Sequence, residues 1–427
     1  MPIILPPATL GMLGGGQLGR FFVAAAHEMG YRVWVLDPDP HSPAGQIAER
    51  HLVTTYDDYA ALDQLAQSCA AVSTEFENVP AGTLDYLDKF VVVRPSAAAV
   101  SVCQNRIAEK RFLRDNCLPH GPYLEVLGEN DLARADDDLF PGILKVARFG
   151  YDGKGQALVA DRDEALAAFI RFRSESCVLE KKLPLAGEVS VVLARDKHGA
   201  CCPFPTAFNR HDQGILDVSR IPAPIADTLC EQAAALAGTV ADCLAYVGVL
   251  AVEYFIVDGR LLINEMAPRP HNSGHYTIDA CTCSQFDQQV RALCGLPLGQ
   301  ADAHSAAVMV NLLGELWYRN PRNVQAAQHF ARHSTLAVNE GTGGGDQCAP
   351  LPGASGSAAV VSGAHYHEPD WAVLHAIPGL KLHLYGKHHA RPGRKMGHFT
   401  VVDSDPERAW HNALAARRAI GIDDAVS

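Results

Sequence analysis

The chain reads as an α/β and α+β protein of several domains, and three features of its sequence carry that expectation. Its 427 residues exceed what one hydrophobic core organises, because domains run to about 100–200 residues. A short apolar stretch, Thr9 to Leu13, enters the cluster Gly14-Gly15-Gly16-Gln17-Leu18-Gly19, then a helical stretch through Met29 and a second strand from Arg32 to Leu36. That is the opening unit of a doubly wound sheet. Further on, the apolar runs Val249 to Val257 and Arg260 to Glu265 meet at Asp258-Gly259, which marks a hairpin and therefore antiparallel sheet.

Composition narrows the function classes. With 48% hydrophobic and 20% charged residues, the chain can bury enough apolar surface to offset its ordering entropy. Lys plus Arg total 36 against 48 Asp plus Glu, a formal charge of −12, so nucleic acid is repelled and a polyanion is not the expected partner. The 12 cysteines are scattered, and Cys201-Cys202 and Cys281-x-Cys283 match no structural zinc spacing, as expected of reduced thiols. No apolar run approaches the ~20 residues of a membrane span. A cytoplasmic protein is the expectation.

In chain order, βα alternation continues through Ala71 to Phe76 and Phe90 to Val93, placing a Rossmann-like domain at 1–110. Helical periodicity from Asn105 to Asn116 is broken by Pro119-His120-Gly121-Pro122. The strand Gly142 to Val146, the loop Phe149 to Gln156, a helix from Asp163 to Arg173 and the strand Cys177 to Glu180 form a small α+β unit at about 120–183. A larger unit at about 184–310 holds strands at Glu188 to Ala194 and the hairpin, so that 111–310 forms the central region. The last segment, 311–427, carries a Gly-rich insertion at about 330–367, expected as an exposed mobile loop, before structure resumes with Lys381 to Tyr385 and His398 to Val402.

Gly14-x-Gly16-x-x-Gly19 with Asp37 at the end of the next strand fits a dinucleotide fingerprint, in which glycines let a pyrophosphate approach a helix N-terminus. The same turn also serves other phosphates, or none. In the loop, Gly150, Gly153 and Gly155 surround Asp152 and Lys154, a composition that offers N–H groups and a cation to phosphate oxygens. Without Gly-Lys-Ser/Thr it is no P-loop, and a plain glycine hairpin is an equal reading. Lys145, ending an apolar strand, needs an anionic partner and favours the phosphate reading.

Glu253 and Glu265 stand inside apolar strands, where carboxylates are costly unless paired or bound to a cation. A two-residue Asp-Gly turn puts them on opposite faces; an odd-numbered loop with Gly259 as a bulge puts them on one face. The odd loop is expected here, because Mg²⁺ needs clustered oxygen ligands beside nucleotide phosphates. Arg269, His271 and Asn272, in the polar loop that follows, can all donate hydrogen bonds to a small anion. His271 and His275 suggest zinc, but Ser273-Gly274 and the nearby prolines oppose the helix such a pair requires. Lys387, Arg391, Arg394 and Lys395 concentrate positive charge in an acidic chain, which favours phosphate capture over a solvated basic turn.

As a set these residues resemble the 5-(carboxyamino)imidazole ribonucleotide synthetases of purine biosynthesis, in the ATP-grasp superfamily. The matching segments are Gly14-Gly-Gly-Gln-Leu-Gly19, Glu75-Phe-Glu-Asn-Val-Pro80, Phe149-Gly-Tyr-Asp-Gly-Lys-Gly-Gln156, Asn264-Glu-Met-Ala-Pro-Arg269, His271-Asn-Ser-Gly-His275 and Arg391-Pro-Gly-Arg-Lys-Met-Gly-His398. The resemblance implies an ATP-grasp central region, a small β-rich C-terminal domain, a homodimer, and ATP-dependent carboxylation of 5-aminoimidazole ribonucleotide by bicarbonate. It implies ATP contacts from Arg106, Lys145, Gly150, Tyr151, Asp152, Gly153, Lys154, Gly155, Gln156, Glu180, Lys181, Lys182, Leu183, Glu188, His211, Asn264 and Glu265, with Mg²⁺ on Glu253 and Glu265. Gln17, Leu18, Glu75, Tyr151, Lys387, Arg394 and Lys395 are implied for the ribonucleotide, and Asp152, Lys154, Arg269, His271 and Asn272 for catalysis, the last three around bicarbonate. The chain departs from the family pattern with Asn105 in Gln104-Asn105-Arg106, where Asp is usual, and with its long Gly-rich insertion.

Three other readings compete. Another ATP-grasp ligase, such as a formate-dependent glycinamide ribonucleotide transformylase, shares the central motifs. A NAD-dependent oxidoreductase rests on the first glycine turn and Asp37, and a non-catalytic nucleotide sensor on nucleotide binding alone.

Overall fold

The computed structural model describes residues 3–148, 155–318 and 366–422. The opening strands are β1 (Thr9–Leu13), β2 (Arg32–Leu36), β3 (Arg50–Leu52), β4 (Ala71–Thr74) and β5 (Val92–Val93). They form a parallel sheet in the order β3-β2-β1-β4-β5. Helices α1 (Gln17–Glu28), α2 (Tyr59–Ser68), α3 (Ala81–Leu87) and α4 (Ala97–Cys103) connect or flank these strands, and α5 (Arg106–Asp115) follows. Asn105 caps α5, its side chain accepting the N–H groups of Ile107 and Ala108. Asn serves as well as Asp in that role, so this departure from the family pattern costs the helix nothing.

A four-stranded antiparallel sheet comes next, built from β6 (Tyr123–Val126), β7 (Gly142–Val146), β8 (Gln156–Val159) and β9 (Cys177–Lys181) in the order β6-β9-β7-β8. Helices α6 (Glu129–Ala133) and α7 (Arg162–Arg171) belong to this unit, whose core gathers Leu132, Leu144, Phe169 and Leu179. Of the glycine loop, Gly155 and Gln156 are described, Gly155 with φ +69°; Gly150, Tyr151, Asp152, Gly153 and Lys154 lie outside the described residues, as does most of the Gly-rich insertion.

The rest of the described chain builds one large antiparallel sheet. Its strands are β10 (Gly187–Arg195), β11 (Cys201–Pro203), β12 (Ala207–Asp212), β13 (Ile215–Ile221), β14 (Gly248–Val257), β15 (Arg260–Ala267), β16 (Ala306–Leu313), β17 (Leu380–Leu384) and β18 (Lys395–Asp403). The order is β15-β14-β10-β12-β13-β16-β18-β17, with β11 beside β10. Strands β16 to β18 therefore continue the sheet begun at Gly187. Among the helices α8 (Asp227–Cys243), α9 (Thr277–Ala280), α10 (Gln285–Cys294), α11 (Ala372–His375) and α12 (Pro406–Ala419), α10 is the joint between sheets. Its Phe286, Val290 and Leu293 complete the core around Leu10, Phe22 and Val33, and Gln289 Nε2 donates to Ser73 Oγ of β4 at 3.1 Å.

The hairpin departs from the expected odd-numbered loop. Val257 faces Arg260 across a two-residue turn in which Asp258 and Gly259 both have positive φ, 48° and 72°, the turn that Asp-Gly favours. That turn alone would set Glu253 opposite Asn264. The register instead shifts between Glu253 and Tyr254, so that Tyr254 faces Ile263 while Glu253 faces Glu265. A β-bulge at Asn264 changes the parity that the loop was expected to change, and the two glutamates still oppose each other.

Because α10 closes the first sheet's core, Phe286→Ala, at a residue 1% exposed, is expected to cost about 3–5 kcal/mol. A urea titration checks this: the first unfolding transition should move to clearly lower urea, and an unmoved transition would show that α10 is not a structural joint.

Candidate active site

The polar loop after β15 lies over one face of the large sheet. Alternation puts Glu188 and Ser190 of β10 on that face, and Ser190 stands opposite Glu253. Asn209 lies opposite Glu188 and, on its other side, opposite Ser219. Glu253 and Glu265 occupy the end of the sheet where β15 is the edge strand. Asn264 Oδ1, on the bulge, is buried without a hydrogen-bond partner. Two carboxylates and an unsatisfied amide oxygen are hard donors of the kind a divalent cation takes.

Arg106 of α5 reaches these carboxylates, while Lys110 of α5 and Lys145 of the small sheet gather on Glu180. Arg106 Nη1 lies 3.4 Å from Glu265 Oε2. Lys145 pairs with Glu180 at 2.8 Å, and Lys110 reaches the other Glu180 oxygen at 3.4 Å and donates to the Asn264 carbonyl at 3.1 Å. The anionic partner that Lys145 required is thus a carboxylate of the chain itself. Burial pushes the Lys145 ammonium down against the pull of Glu180. Burial would also raise Glu180, but Lys145 and Lys110 outweigh it and hold the carboxyl at about 2. The carboxylate serves two ammonium groups, which keeps the cluster ionised. Lys181, Lys182 and Leu183 follow Glu180; the backbone N–H groups of Lys181 and Lys182 bond to Pro122 and Pro141, 3.0 and 2.9 Å away.

Around the loop, His211 Nδ1 lies 2.9 Å from Glu188, and His271 Nε2 lies 3.5 Å from Glu253. Arg269 is held by Glu77 through its Nε. The Asn272 amide is engaged with Asn311: each side-chain nitrogen donates to the other's oxygen, at 3.0 and 2.6 Å. Asn272 is accordingly tied to β16, with one amide hydrogen left to offer. His275 packs edge-on to Phe21, ring centroids 5.4 Å apart.

A second group forms where the first glycine turn meets the end of the chain. Glu75 accepts the backbone N–H groups of Gly16 and Gly19, the latter at 2.7 Å, and Asp37 accepts that of Gly15 at 2.7 Å. The donors that would hold a pyrophosphate are therefore occupied by the protein's own carboxylates, which opposes the NAD reading. Gly14, at φ +101°, has no room for a side chain, because a Cβ there would meet Glu75 Cγ at 2.4 Å. Burial raises the Glu75 carboxyl to about 7 against those two backbone bonds. Lys387 Nζ donates to Gln17 Oε1 at 2.6 Å and to the Lys395 carbonyl at 2.7 Å. Leu18 is buried beside this contact, while Arg394 donates to the His389 carbonyl at 2.7 Å. Gln17, Glu75, Lys387 and Lys395 are thus gathered from opposite ends of the chain.

Sequence reasoning missed Glu77, Glu109, Lys110, Ser190, Ser273 and Asn311. Glu77 stood in a quoted motif, two residues from Glu75. Glu109 and Lys110 are 1% and 2% exposed on α5, and nothing in a helical pattern flags charged residues that face inward. Glu109 accepts the backbone N–H of Met266 at 2.6 Å.

The parallel sheet, the antiparallel sheet pair, Arg106 on Glu265 and the two lysines on Glu180 make up the arrangement of an ATP-grasp ligase. Family models match the same segments: the ribonucleotide synthetase preATP-grasp domain at residues 7–104, the ATP-grasp domain at 111–286 and the phosphoribosylaminoimidazole carboxylase C-terminal domain at 360–412. The N5-carboxyaminoimidazole ribonucleotide synthase of Bacillus subtilis is 36% identical over 96% of this chain and 94% of its own, and that of Brucella melitensis 39% over 93% and 97%. A crystal structure of an ADP complex of N5-carboxyaminoimidazole ribonucleotide synthetase superposes with TM-score 0.80 at 37% identity, covering 97% of both chains. The Aspergillus clavatus synthase in complex with ADP and 5-aminoimidazole ribonucleotide superposes with TM-score 0.78 at 28% identity, covering 97% and 98%. The chain belongs to the N5-carboxyaminoimidazole ribonucleotide synthase family.

Burial pushes the Glu253 carboxyl upward, His211 opposes this, and Glu265 adds to it. Glu109 is raised in the same way, by burial first and then by Glu265. A carboxyl raised in the folded chain binds its proton more tightly there than in the unfolded chain, so stability is lost as pH climbs above the ordinary carboxylate range. For ligand-free protein the urea midpoint is expected to fall from about pH 5 towards neutrality. Glu253→Gln should flatten part of that slope, and parallel pH profiles for the two proteins would show that Glu253 is not destabilised by burial.

Proposed function

We propose that the chain carboxylates 5-aminoimidazole ribonucleotide with bicarbonate at the expense of ATP, forming a C–N bond in purine biosynthesis. The observation that carries this reading is the opposition of Glu253 and Glu265 across the bulge, with Arg106 on Glu265 and Lys110, which shares Glu180 with Lys145, on the carbonyl of the bulged Asn264. An oxygen of bicarbonate attacks the γ-phosphorus and ADP leaves; the amine nitrogen then attacks the carboxyphosphate carbon, phosphate leaves and the amine loses a proton. Bicarbonate is a poor electrophile, so phosphoryl transfer has to come first.

The fit of Mg²⁺ rests on the donor set: Glu253, Glu265 and the unsatisfied Asn264 oxygen would hold it, and it would supply charge neutralisation to the phosphates. Arg106 and Lys145 would bind phosphate oxygens, with Glu180 orienting Lys145. Arg269, fixed by Glu77, and His271 direct donors towards the anion formed from bicarbonate, with Asn272 behind them. Gln17, Glu75, Lys387 and Lys395, with Arg394 nearby, take the ribonucleotide, the cations serving its phosphate. The division into 1–110, 111–310 and 311–427, a homodimeric state and a cytoplasmic location belong to the same reading. Among the described residues no helix is long and apolar enough to cross a membrane.

ADP formation with ATP, Mg²⁺, bicarbonate and the ribonucleotide tests the proposal. Turnover should require the ribonucleotide, and Glu265→Gln should lower kcat by roughly 100-fold or more with an unchanged circular dichroism spectrum. A fully active Glu265→Gln protein would remove the metal assignment, and formate-dependent turnover of glycinamide ribonucleotide would replace the substrate assignment.

A further inference from the structure

The hydrogen bonds around His271 determine which ring nitrogen carries the proton. Nδ1 accepts the backbone N–H of Ser273 at 3.3 Å, capping the short turn Asn272–Gly274, and lies 2.8 Å from Ser273 Oγ. A ring nitrogen that accepts a backbone N–H holds no hydrogen of its own. The neutral ring therefore carries its proton on Nε2, the atom 3.5 Å from Glu253 Oε1.

Behind Ser273 a line of polar groups crosses three strands. The Ser219 hydroxyl donates to Asn209 Oδ1 at 2.8 Å, Asn209 Nδ2 donates to Ser190 Oγ at 2.8 Å, and the Ser190 hydroxyl donates to Ser273 Oγ at 2.7 Å. Each hydroxyl has one hydrogen, so that of Ser273 is left for His271 Nδ1. These four residues are 0–3% exposed. Buried polar groups are costly unless every member is paired, and a fully paired line is rigid. This one ends on a single nitrogen of a residue that faces the carboxylates.

We infer that Ser273, Ser190, Asn209 and Ser219 are positioning residues that hold His271 as the Nε2–H tautomer, with Nδ1 kept as the acceptor. On the proposed function, from which the identity of the anion follows, His271 then donates to the negative charge that develops during carboxylation and does not act as the base that takes a proton. A doubly protonated ring would set its own N–H against that of Ser273.

Long-range ¹H–¹⁵N correlation spectra of protein carrying ¹⁵N-histidine decide the matter, with the His271 signals identified by their loss in His271→Gln. Wild-type protein is expected to show the proton on Nε2, with Nδ1 as the acceptor. Ser273→Ala and Ser190→Ala should show mixed tautomers and a kcat lowered about ten-fold, with KM for ATP unchanged. A proton on Nδ1 in place of Nε2 overturns the inference from the wild-type spectrum alone, whatever the variants do. An Nε2–H ring in a protein that fails to turn over the ribonucleotide would instead remove the proposed substrate and leave the tautomer assignment standing.

Discussion

The site depends on one extra residue in an edge strand. Without the bulge at Asn264, the Asp258-Gly259 turn would set Glu253 across from Asn264 and send Glu265 to the far face of the sheet. With it, two carboxylates oppose each other in apolar strands, a placement that electrostatics resists. The neighbouring elements answer that repulsion: Arg106 leans on Glu265, and Lys110 binds the carbonyl of the bulged residue itself. The irregularity in the ladder and the helix that braces it therefore act as one unit.

A second theme is the use of buried carboxylates to aim other groups. Glu75 occupies the amino end of α1, Glu77 holds Arg269, Glu109 binds the Met266 backbone and Glu180 steadies two lysines. In each case an acid fixes a donor or a backbone segment; the partners outweigh desolvation at Glu77 and Glu180, while burial prevails at Glu75 and Glu109. A site assembled this way loses orientation before it loses its fold when one acid is removed.

Much of this was legible in the sequence. The first strand, glycine turn and helix, the hairpin strands, and β7 and β9 lie within a residue or two of their expected places, because periodicity and glycine punctuation act locally. The strands β12, β13 and β16 were not anticipated. Asn209, Ser219 and Asn311 interrupt their apolar pattern, and those residues are buried for reasons that lie across the sheet. The hairpin shows the same boundary. The expected chemistry required Glu253 and Glu265 to share a face, and they oppose each other across the ladder, yet Asn264 carries no local mark of a bulge, so the parity change was sought in the turn.

The pairing of Lys387 with Gln17 has a consequence for biosynthesis. The proposed ribonucleotide pocket draws on residues far apart in the chain, and β18, which anchors one group of them, adds to a sheet whose earlier strands must already be in place. A growing polypeptide emerging from the ribosome can fold its first sheet early, but it stays catalytically silent until its tail arrives.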